Sequence, residues 1–192
     1  MATDPFVLFA AWYDDAQDDP ATDSDLVALA TATADGRPSV RMVFYRGMRE
    51  GGFSFFTNYE SRKGLELQAN PHAAMTFYWP LHGRQVRIEG AVERLSAGES
   101  DAYFQGRPFE SQITAILSRQ SRPLQDPETF RKRLAELEQE YRGKRVPCPE
   151  NWGGFKILPS AFEFWSRGEF RRHDRTRYEL KAGQWKAVRL YP

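Results

Sequence analysis

Residues 26–47 read "LVALATATADGRPSVRMVFYRG" and contain a strong hairpin signal. Two runs rich in apolar and β-branched residues flank Asp35-Gly36, a pair that is favoured in tight hairpins. We therefore predict two antiparallel strands joined at this turn. Three more strand-like runs follow, namely "GGFSFFTN" (51–58), "HAAMTFYWP" (72–80) and "RQVRIEGAVERLS" (84–96). Five strands with short links indicate an antiparallel sheet that curls or closes into a barrel.

Helices are predicted around these strands. In "TDPFVLFAAWYDDAQ" (3–17), Asp4 can cap a helix and Pro5 suits its first turn. A short helix is predicted within 61–71, and residues 97–142 are mainly helical by composition. Strand-like sequence returns after Trp152, in segments 161–166, 170–180 and 184–191. The expected fold class is mainly β with flanking helices (α+β), and residues 1–192 are expected to form a single domain.

Composition narrows the classes of function. Lys and Arg number 27 against 26 Asp and Glu, so bulk electrostatic attraction to nucleic acid or to a membrane surface is not indicated. No apolar run approaches the roughly 20 residues of a membrane helix, and the N-terminus lacks the features of a secretory signal. A cytoplasmic protein is predicted. Cys148 has no second cysteine with which to form a disulfide or share a metal, and there is no HExxH motif, so no metal centre is expected. The GxSxG motif of serine nucleophiles is also absent.

Three clusters of cations and hydroxyls point to local anion binding. The first is "EFRRHDRTRY" (169–178), where strand alternation would place four basic side chains on one face. A solvated charged face is the ordinary explanation of such a run, but two further clusters of the same kind support bound phosphate. The clusters comprise Arg171, His173, Arg175 and Arg177; Thr57, Ser61, Arg62 and Lys63; and Tyr103, Arg107 and Ser111. Without a catalytic motif, the chemistry of an enzyme with these sites would come from an organic cofactor.

The motifs together resemble one family. In order along the chain they are "RMVFYRG", "FFTNYESRKG", "GRQVRIEG", "YFQGRPFESQI", "SRQS", "NWGGF", "EFW" and "RRHDR". Their order and spacing are similar to those of the pyridoxine (pyridoxamine) 5′-phosphate oxidases, from Asp4 to Pro192. The resemblance implies an FMN-binding split β-barrel and a homodimer with two equivalent active sites at the subunit interface. It further implies oxidation of pyridoxine 5′-phosphate or pyridoxamine 5′-phosphate to pyridoxal 5′-phosphate by O2, which yields H2O2.

The resemblance also assigns residues by position. Arg171 and His173 are the expected catalytic pair, which would position the substrate ring while hydride moves from its C4′ carbon to the flavin. The implied FMN contacts are Arg41, Met42, Val43, Phe44, Tyr45, Arg46, Phe56, Thr57, Arg62, Lys63, Gln85, Gln120, Ser121, Trp165 and Arg175. The implied substrate contacts are Arg46, Tyr103, Arg107, Ser111, Arg171 and His173. Arg172 is a further candidate for substrate binding because it lies between Arg171 and His173, but it matches no contact of the family and, like Arg177, is otherwise expected at the surface.

Three features depart from the family pattern. Arg46 stands where the family usually carries lysine, and a planar bidentate guanidinium is not equivalent to an ammonium at a phosphate site. Phe56 replaces a common tyrosine, so the contact implied there is expected through the backbone. The chain begins almost at its first helix, where relatives often carry a basic segment that folds over the substrate. Either that segment is absent, or the start of the protein is missing from this sequence.

Three other functions remain open at this point. A flavoenzyme on the same barrel could act on another small aromatic molecule, as relatives in phenazine pathways do. A flavin or pyridoxal phosphate carrier would bind the same groups without turnover. A nucleic-acid binder would use the basic strand and exposed aromatic residues, although the nearly balanced charge argues against it.

Overall fold

The computed structural model describes residues 4–18 and 23–192. Within these residues the chain forms nine strands and five α-helices. The strands are β1 Leu26–Ala32, β2 Pro38–Phe44, β3 Met48–Arg49, β4 Gly52–Asn58, β5 His72–Trp79, β6 Arg84–Arg94, β7 Trp152–Ser166, β8 Asp174–Lys181 and β9 Gln184–Arg189. The helices are α1 Pro5–Gln17, α2 Arg62–Ala69, α3 Ala97–Gln105, α4 Phe109–Leu117 and α5 Pro127–Tyr141. The predicted fold class is confirmed, whereas the single domain stays a prediction.

One antiparallel sheet contains all nine strands, in the order β2-β1-β5-β6-β7-β4-β3, and β8 and β9 extend it from β7. The first predicted hairpin is confirmed: β1 pairs with β2, and Gly36 in the turn has a φ of +84° that glycine adopts without strain. Strand β7 is 15 residues long and pairs with β4 through its first half and β8 through its second. The sheet curls so that the chain after β2 meets β4, which is far from β2 in the strand order. There the backbone N–H of Arg46 donates to the carbonyl oxygen of Ser54 (2.8 Å).

An aromatic core fills the curled sheet. Phe9 of α1 is 1% exposed, and its ring lies 4.8 Å from the ring of Phe53 and 5.0 Å from that of Phe77. Tyr45 and Trp79 complete this cluster. Full burial of each such ring contributes about 1.5–3 kcal/mol of hydrophobic stabilisation. Helix α1 is thereby packed against the sheet, and Phe9 also contacts Tyr45 in the segment that follows β2.

The predicted strand over residues 170–180 is wrong in its first part. Glu169–Arg171 form a 3₁₀ turn, closed by the N–H of Arg172 donating to the carbonyl oxygen of Glu169 (3.0 Å). Phe170 and Arg171 adopt φ values of 52° and 65°, which an extended strand excludes. Strand β8 begins at Asp174. Alternation therefore does not place Arg171 and His173 on one face with Arg175.

The helical predictions for 61–71 and 97–142 are confirmed by α2 to α5. Ser61 caps α2 by accepting a hydrogen bond from the N–H of Gly64 (3.3 Å), and Asp126 caps α5. The short strand β3 was not predicted. None of the helices in the described ranges has the length and apolar character needed to span a membrane.

Candidate functional site

A cleft of about 640 Å³ lies between the end of β2, strand β4 and the junction of α3 with α4. Most of the residues that line it belong to the set assigned from the sequence. These are Met42, Val43, Phe44, Arg46, Phe56, Thr57, Lys63, Tyr103, Arg107, Ser111 and Gln120. The fold thus brings assigned residues from Met42 to Gln120, 78 positions apart in the chain, into one cleft, including the whole hydroxyl-and-arginine cluster of Tyr103, Arg107 and Ser111.

Lys63 is the buried cation of this cleft. Its side chain is held at the start of α2, where Nζ donates to Thr57 Oγ1 (3.1 Å) and Gln120 Oε1 (3.0 Å). Burial, together with the nearby charge of Arg41, lowers the pKa of Lys63 to about 8, although the charge of Glu66 acts in the opposite direction. Its hydrogen-bond partners are neutral, so the positive charge remains available to an anion.

Glu66 organises the two arginines beside Lys63. Its carboxylate, 5% exposed, accepts hydrogen bonds from Ser39 Oγ (2.6 Å), Arg41 Nη2 (3.3 Å) and Arg62 Nε (2.9 Å), and from the hydroxyl of Thr31. Burial alone would raise the pKa of Glu66, but these hydrogen bonds outweigh it and hold the pKa at about 2. Sequence analysis missed Glu66, although its spacing of four from Arg62 on a helix is a signal of pairing.

The charges of this region suit a phosphate monoester. Arg41, Arg62 and Lys63 carry three positive charges when Lys63 is protonated, and Glu66 carries one negative charge, which leaves a net charge of +2. A phosphate monoester carries about −1.5 to −2 at pH 7. Ser121, another of the implied FMN contacts, lines a second cavity of about 340 Å³ together with Arg62 and Glu66. The donor set therefore fits the phosphate of FMN.

Arg107 is another cation of the cleft, and one of its donors has no partner in the described residues. Its guanidinium lies 4.6 Å from the ring centroid of Trp152, and burial lowers its pKa. Its Nη1 atom is buried and has no hydrogen-bond partner in the described part of the chain. The ring of Tyr103 stacks on Phe56 at 3.8 Å, and Trp152 continues the stack. Such a buried, unpaired donor next to a tyrosine hydroxyl is an arrangement that an anionic oxygen would satisfy.

The remaining residues after β2 divide between cleft and core. Tyr45 is 4% exposed and packs in the aromatic core, so its backbone alone can reach a ligand in the cleft. Arg46 lies beyond the end of β2, and strand alternation therefore does not set its direction relative to Arg41. Its Nη1 donates to Asp25 Oδ2 (2.9 Å).

A second group of assigned residues lies away from this cleft, where β6 and β8 begin and β7 ends. Gln85, Trp165 and Arg175 are paired in register across these three strands. The imidazole of His173 packs on Trp165 with ring centroids 4.6 Å apart, and its Nδ1 accepts a hydrogen bond from the N–H of Gly168 (3.3 Å). Arg171 and Arg172 are exposed. None of these residues lines the 640 Å³ cleft.

Glu163 anchors this second group and was also missed. It is 3% exposed, and its Oε1 accepts from Arg175 Nε (2.9 Å) and Nη2 (2.8 Å), while Arg87 forms an ion pair with its other oxygen. Burial opposes the charge on Glu163, but the two arginines lower its pKa. The alternation of β7 places Glu163 on the face of Trp165, a signal that the sequence contained. Arg177, expected at the surface, is 27% exposed and pairs with Glu89.

Comparison with protein families gives matches over most of the chain. The model described as "Pyridoxamine 5′-phosphate oxidase" matches residues 13–141, and the one described as "Pyridoxine 5′-phosphate oxidase C-terminal dimerisation region" matches residues 152–192. The chain belongs to the pyridoxine/pyridoxamine 5′-phosphate oxidase family. The prediction of an oxidoreductase of this family is thereby confirmed, and the match to a dimerisation region supports self-association.

Curated relatives in this oxidase family cover the full chain. A pyridoxine/pyridoxamine 5′-phosphate oxidase of Gluconobacter oxydans (strain 621H) is 50% identical, over 100% of this chain and 96% of the relative. One from Pseudomonas paraeruginosa (strain DSM 24068 / PA7) is 47% identical, over 99% and 89%.

Solved structures confirm the split-barrel fold. PhzG from Burkholderia lata 383, in complex with tetrahydrophenazine-1-carboxylic acid, superposes with a TM-score of 0.94 at 34% identity, covering 100% of this chain and 94% of that one. An FMN-binding protein from Nostoc punctiforme PCC 73102, related to pyridoxamine 5′-phosphate oxidase, has a TM-score of 0.80 at 19% identity and covers both chains fully. At that identity the second likeness shows the fold alone.

Proposed function

We propose that the protein binds FMN and oxidises pyridoxine 5′-phosphate or pyridoxamine 5′-phosphate to pyridoxal 5′-phosphate, with O2 as electron acceptor and H2O2 as product. The observation that carries this proposal is the cleft itself, which joins Lys63 and Thr57 to Tyr103, Arg107 and Ser111. Two sets of side chains suited to phosphate therefore lie next to each other. An enzyme that holds one phosphorylated cofactor against one phosphorylated substrate needs such a pair of sites.

The first set would hold FMN. Arg41, Arg62, Lys63 and Ser121 supply the charge and donors for its phosphate, and Glu66 fixes the two arginines. The exposed apolar side chains of Met42 and Phe44 give the cleft an apolar wall on which a planar ring can lie. FMN, when bound, accepts two electrons from the substrate and passes them to oxygen.

The second set would hold the substrate. Arg107 and Tyr103 offer donors to the substrate phosphate, and Ser111 and Arg46 line the same cleft. The alcohol loses two electrons and two protons to become the aldehyde, and O2 takes up both to form H2O2. The amine additionally consumes water and releases ammonia. Holding the ring in place is the main contribution of the protein, since proximity can lower a barrier by about 7–11 kcal/mol.

Arg171 and His173 would reach the substrate from a second copy of the chain. Both belong to the group at the ends of β6 to β8, which lies outside the cleft of its own chain. The family match over residues 152–192 is to a dimerisation region, and it contains Trp165, Arg171, His173 and Arg175 of this group. We propose a homodimer in which each site takes the cleft from one subunit and Arg171, His173, Trp165 and Arg175 from the other. A cytoplasmic location stays a prediction.

An absorption spectrum of the purified protein tests the cofactor, and the anaerobic addition of pyridoxine 5′-phosphate tests the reaction. We expect flavin bands that bleach on addition and return when oxygen is admitted, with one H2O2 formed per pyridoxal 5′-phosphate. A protein that binds no flavin would contradict the first step. A yellow protein that does not bleach would instead be a carrier.

A second candidate substrate is favoured by one observation, the 0.94 TM-score to PhzG in complex with tetrahydrophenazine-1-carboxylic acid. That molecule contains no phosphate, whereas the cleft presents the unpaired buried donor of Arg107. Relative kcat/KM values for pyridoxine 5′-phosphate and tetrahydrophenazine-1-carboxylic acid separate the two. We expect the phosphate ester to be preferred by at least about 10²-fold, because a single carboxylate carries less charge and fewer acceptor oxygens than a phosphate monoester and leaves part of this donor set unpaired.

A further inference from the structure

Asp25 lies in the turn before β1 and contacts Arg46. Its Oδ2 accepts a hydrogen bond from Arg46 Nη1 at 2.9 Å, and each side chain is 31% exposed. Arg46 lines the cleft with Tyr103 and Arg107. Asp25 itself is not among the residues that line the cleft, so any effect on a ligand there passes through Arg46.

Asp25 is held from two sides. Its carbonyl oxygen accepts the backbone N–H of Tyr45 (2.8 Å), which fixes its main chain against the segment after β2. Its Oδ1 accepts a hydrogen bond from the hydroxyl of Tyr13 in α1. Burial and the bond to Asp25 raise the pKa of Tyr13, so this hydroxyl remains a donor. The carboxylate is therefore a fixed acceptor rather than a mobile surface charge.

The guanidinium of Arg46 is oriented by these contacts. Nη1 is occupied by Asp25 and, at 3.4 Å, by the carbonyl oxygen of Tyr45, and the plane lies 4.6 Å from the ring centroid of Phe44. Its Nε and Nη2 donate to no protein group in residues 4–18 and 23–192. Because the guanidinium is planar and rigid, fixing one edge sets the direction of the other donors. A lysine ammonium carries all its donors on one atom and cannot divide them in this way.

We propose that Asp25 is a positioning residue of the substrate site: it holds one edge of Arg46 so that the remaining donors face a phosphate monoester in the cleft. The inference rests on the proposed function. Asp25 and Arg46 then act as one unit, which accounts for an arginine at a position where the family usually has lysine. The negative charge of Asp25 opposes phosphate binding, but its ion pair with Arg46 offsets this charge. The gain in affinity from a correctly oriented Arg46 then exceeds the remaining repulsion.

The test uses the flavin-loaded protein and three variants: Asp25→Asn, Arg46→Lys and the double substitution. Steady-state oxidation of pyridoxine 5′-phosphate gives KM and kcat for each. We expect either single change to raise KM about tenfold with kcat within about twofold, since a ground-state contact is lost. The double variant should also stay near tenfold, because the second change removes nothing that remains. Asp35→Asn, in the exposed pair with Arg37 at the β1–β2 turn, is the control and should change neither value.

Two results overturn the inference while leaving the proposed function intact. The first is an Asp25→Asn protein whose KM is unchanged or lower, which would make Asp25 a competing charge. The second is a double variant with KM raised about a hundredfold, which would make the two residues independent. If Asp25→Asn fails to fold, Tyr13→Phe removes one anchor of the carboxylate and should raise KM about threefold, and an unchanged KM there also overturns the inference. A wild-type protein that does not oxidise the substrate overturns the proposed function and this inference together.

Discussion

Burial of Lys63 lowers the pKa of its ammonium group, and this links phosphate binding to pH. Its pKa of about 8 lies below the usual lysine value because burial disfavours the ammonium. Unfolded chains bind a proton at Lys63 up to about pH 10.5, while the folded chain has lost it above about pH 8. This residue therefore makes the apoprotein more stable as pH rises from about 8 to 10.5. Binding of a phosphate, which needs the ammonium, should change in the opposite direction.

We predict that the dissociation constant of FMN rises as pH increases above about 8, by up to about tenfold per pH unit. Fluorescence titration of apoprotein with FMN between pH 7 and pH 9.5 measures it. Lys63→Arg is the matched variant, because arginine stays charged over this range. A dissociation constant that rises equally in both proteins would assign the pH dependence to another group.

Substitution of Arg107 tests whether this residue binds the substrate phosphate. Its planar guanidinium stacks on Trp152 and keeps an unpaired buried Nη1. We predict that Arg107→Lys raises KM for pyridoxine 5′-phosphate about 10–100-fold, equivalent to about 1.5–3 kcal/mol for a hydrogen bond to a charged group. Arg145→Lys is the control, since Arg145 forms an exposed pair with Asp101. Equal kinetic constants for the two variants would remove Arg107 from the site.

At the level of single residues, the sequence predicted the cations of the site better than the carboxylates that hold them. Arg41, Arg62 and Lys63 lie in the motifs "RMVFYRG" and "FFTNYESRKG", whereas the roles of Glu66 and Glu163 were not predicted. A buried carboxylate is stabilised by partners that the fold brings from elsewhere: Arg41 is 25 residues from Glu66. Local sequence contains the four-residue spacing of Arg62 and Glu66 but not the pairing with Arg41, and the usual expectation for glutamate is an exposed position.

Helix α2 is the element that sets the proposed flavin phosphate site, and Gly64 is the residue that lets it pack. A Cβ at Gly64 would lie 2.2 Å from the carbonyl oxygen of Tyr59, so the helix or the preceding loop would have to shift. Gly64 follows Arg62 and Lys63 directly, and the shift would displace both. The close approach of helix and loop is therefore a condition for the position of two cations.

We predict that Gly64→Ala lowers the free energy of unfolding by about 1–3 kcal/mol and weakens FMN binding. Gly98→Ala is the matched control in α3, where a Cβ meets no atom within 4 Å. There the substitution should stabilise the protein by about 0.4–1 kcal/mol, because alanine restricts the unfolded chain. Urea unfolding of both variants measures the two effects. A Gly64→Ala protein as stable as Gly98→Ala would show that the close approach imposes no constraint.

At the level of elements, most strands were predictable because alternation and turn pairs are local signals. The hairpin at Asp35-Gly36 and the helix caps at Ser61 and Asp126 follow rules of this kind. The strand prediction was wrong from Phe170 to His173, because the backbone has a positive φ at Phe170 and Arg171, neither of which is glycine. Such residues leave no compositional mark, and the basic character of the stretch suggested a uniform strand.

At the scale of the whole molecule, the assigned residues fall into two groups that one chain does not join. Arg107 lines the cleft beside β4, whereas His173 packs on Trp165 at the ends of β7 and β8. No pattern in the sequence indicated this division, since the two sets were assigned together from the family resemblance. A homodimer with shared sites is the arrangement that would unite them.

Mixed dimers test that arrangement directly. We predict that Arg107→Ala and His173→Ala proteins are each nearly inactive alone, but that co-expressed equal amounts recover about a quarter of the wild-type activity. Random association gives about half heterodimers, and each heterodimer has one site with both substitutions and one with neither. If each chain supplied a complete site, every site in the mixture would carry a substitution, and activity would stay at the level of the separate variants. Differently tagged subunits allow the heterodimer to be isolated, and its activity should then be about half that of the wild type, which measures how the two groups are shared.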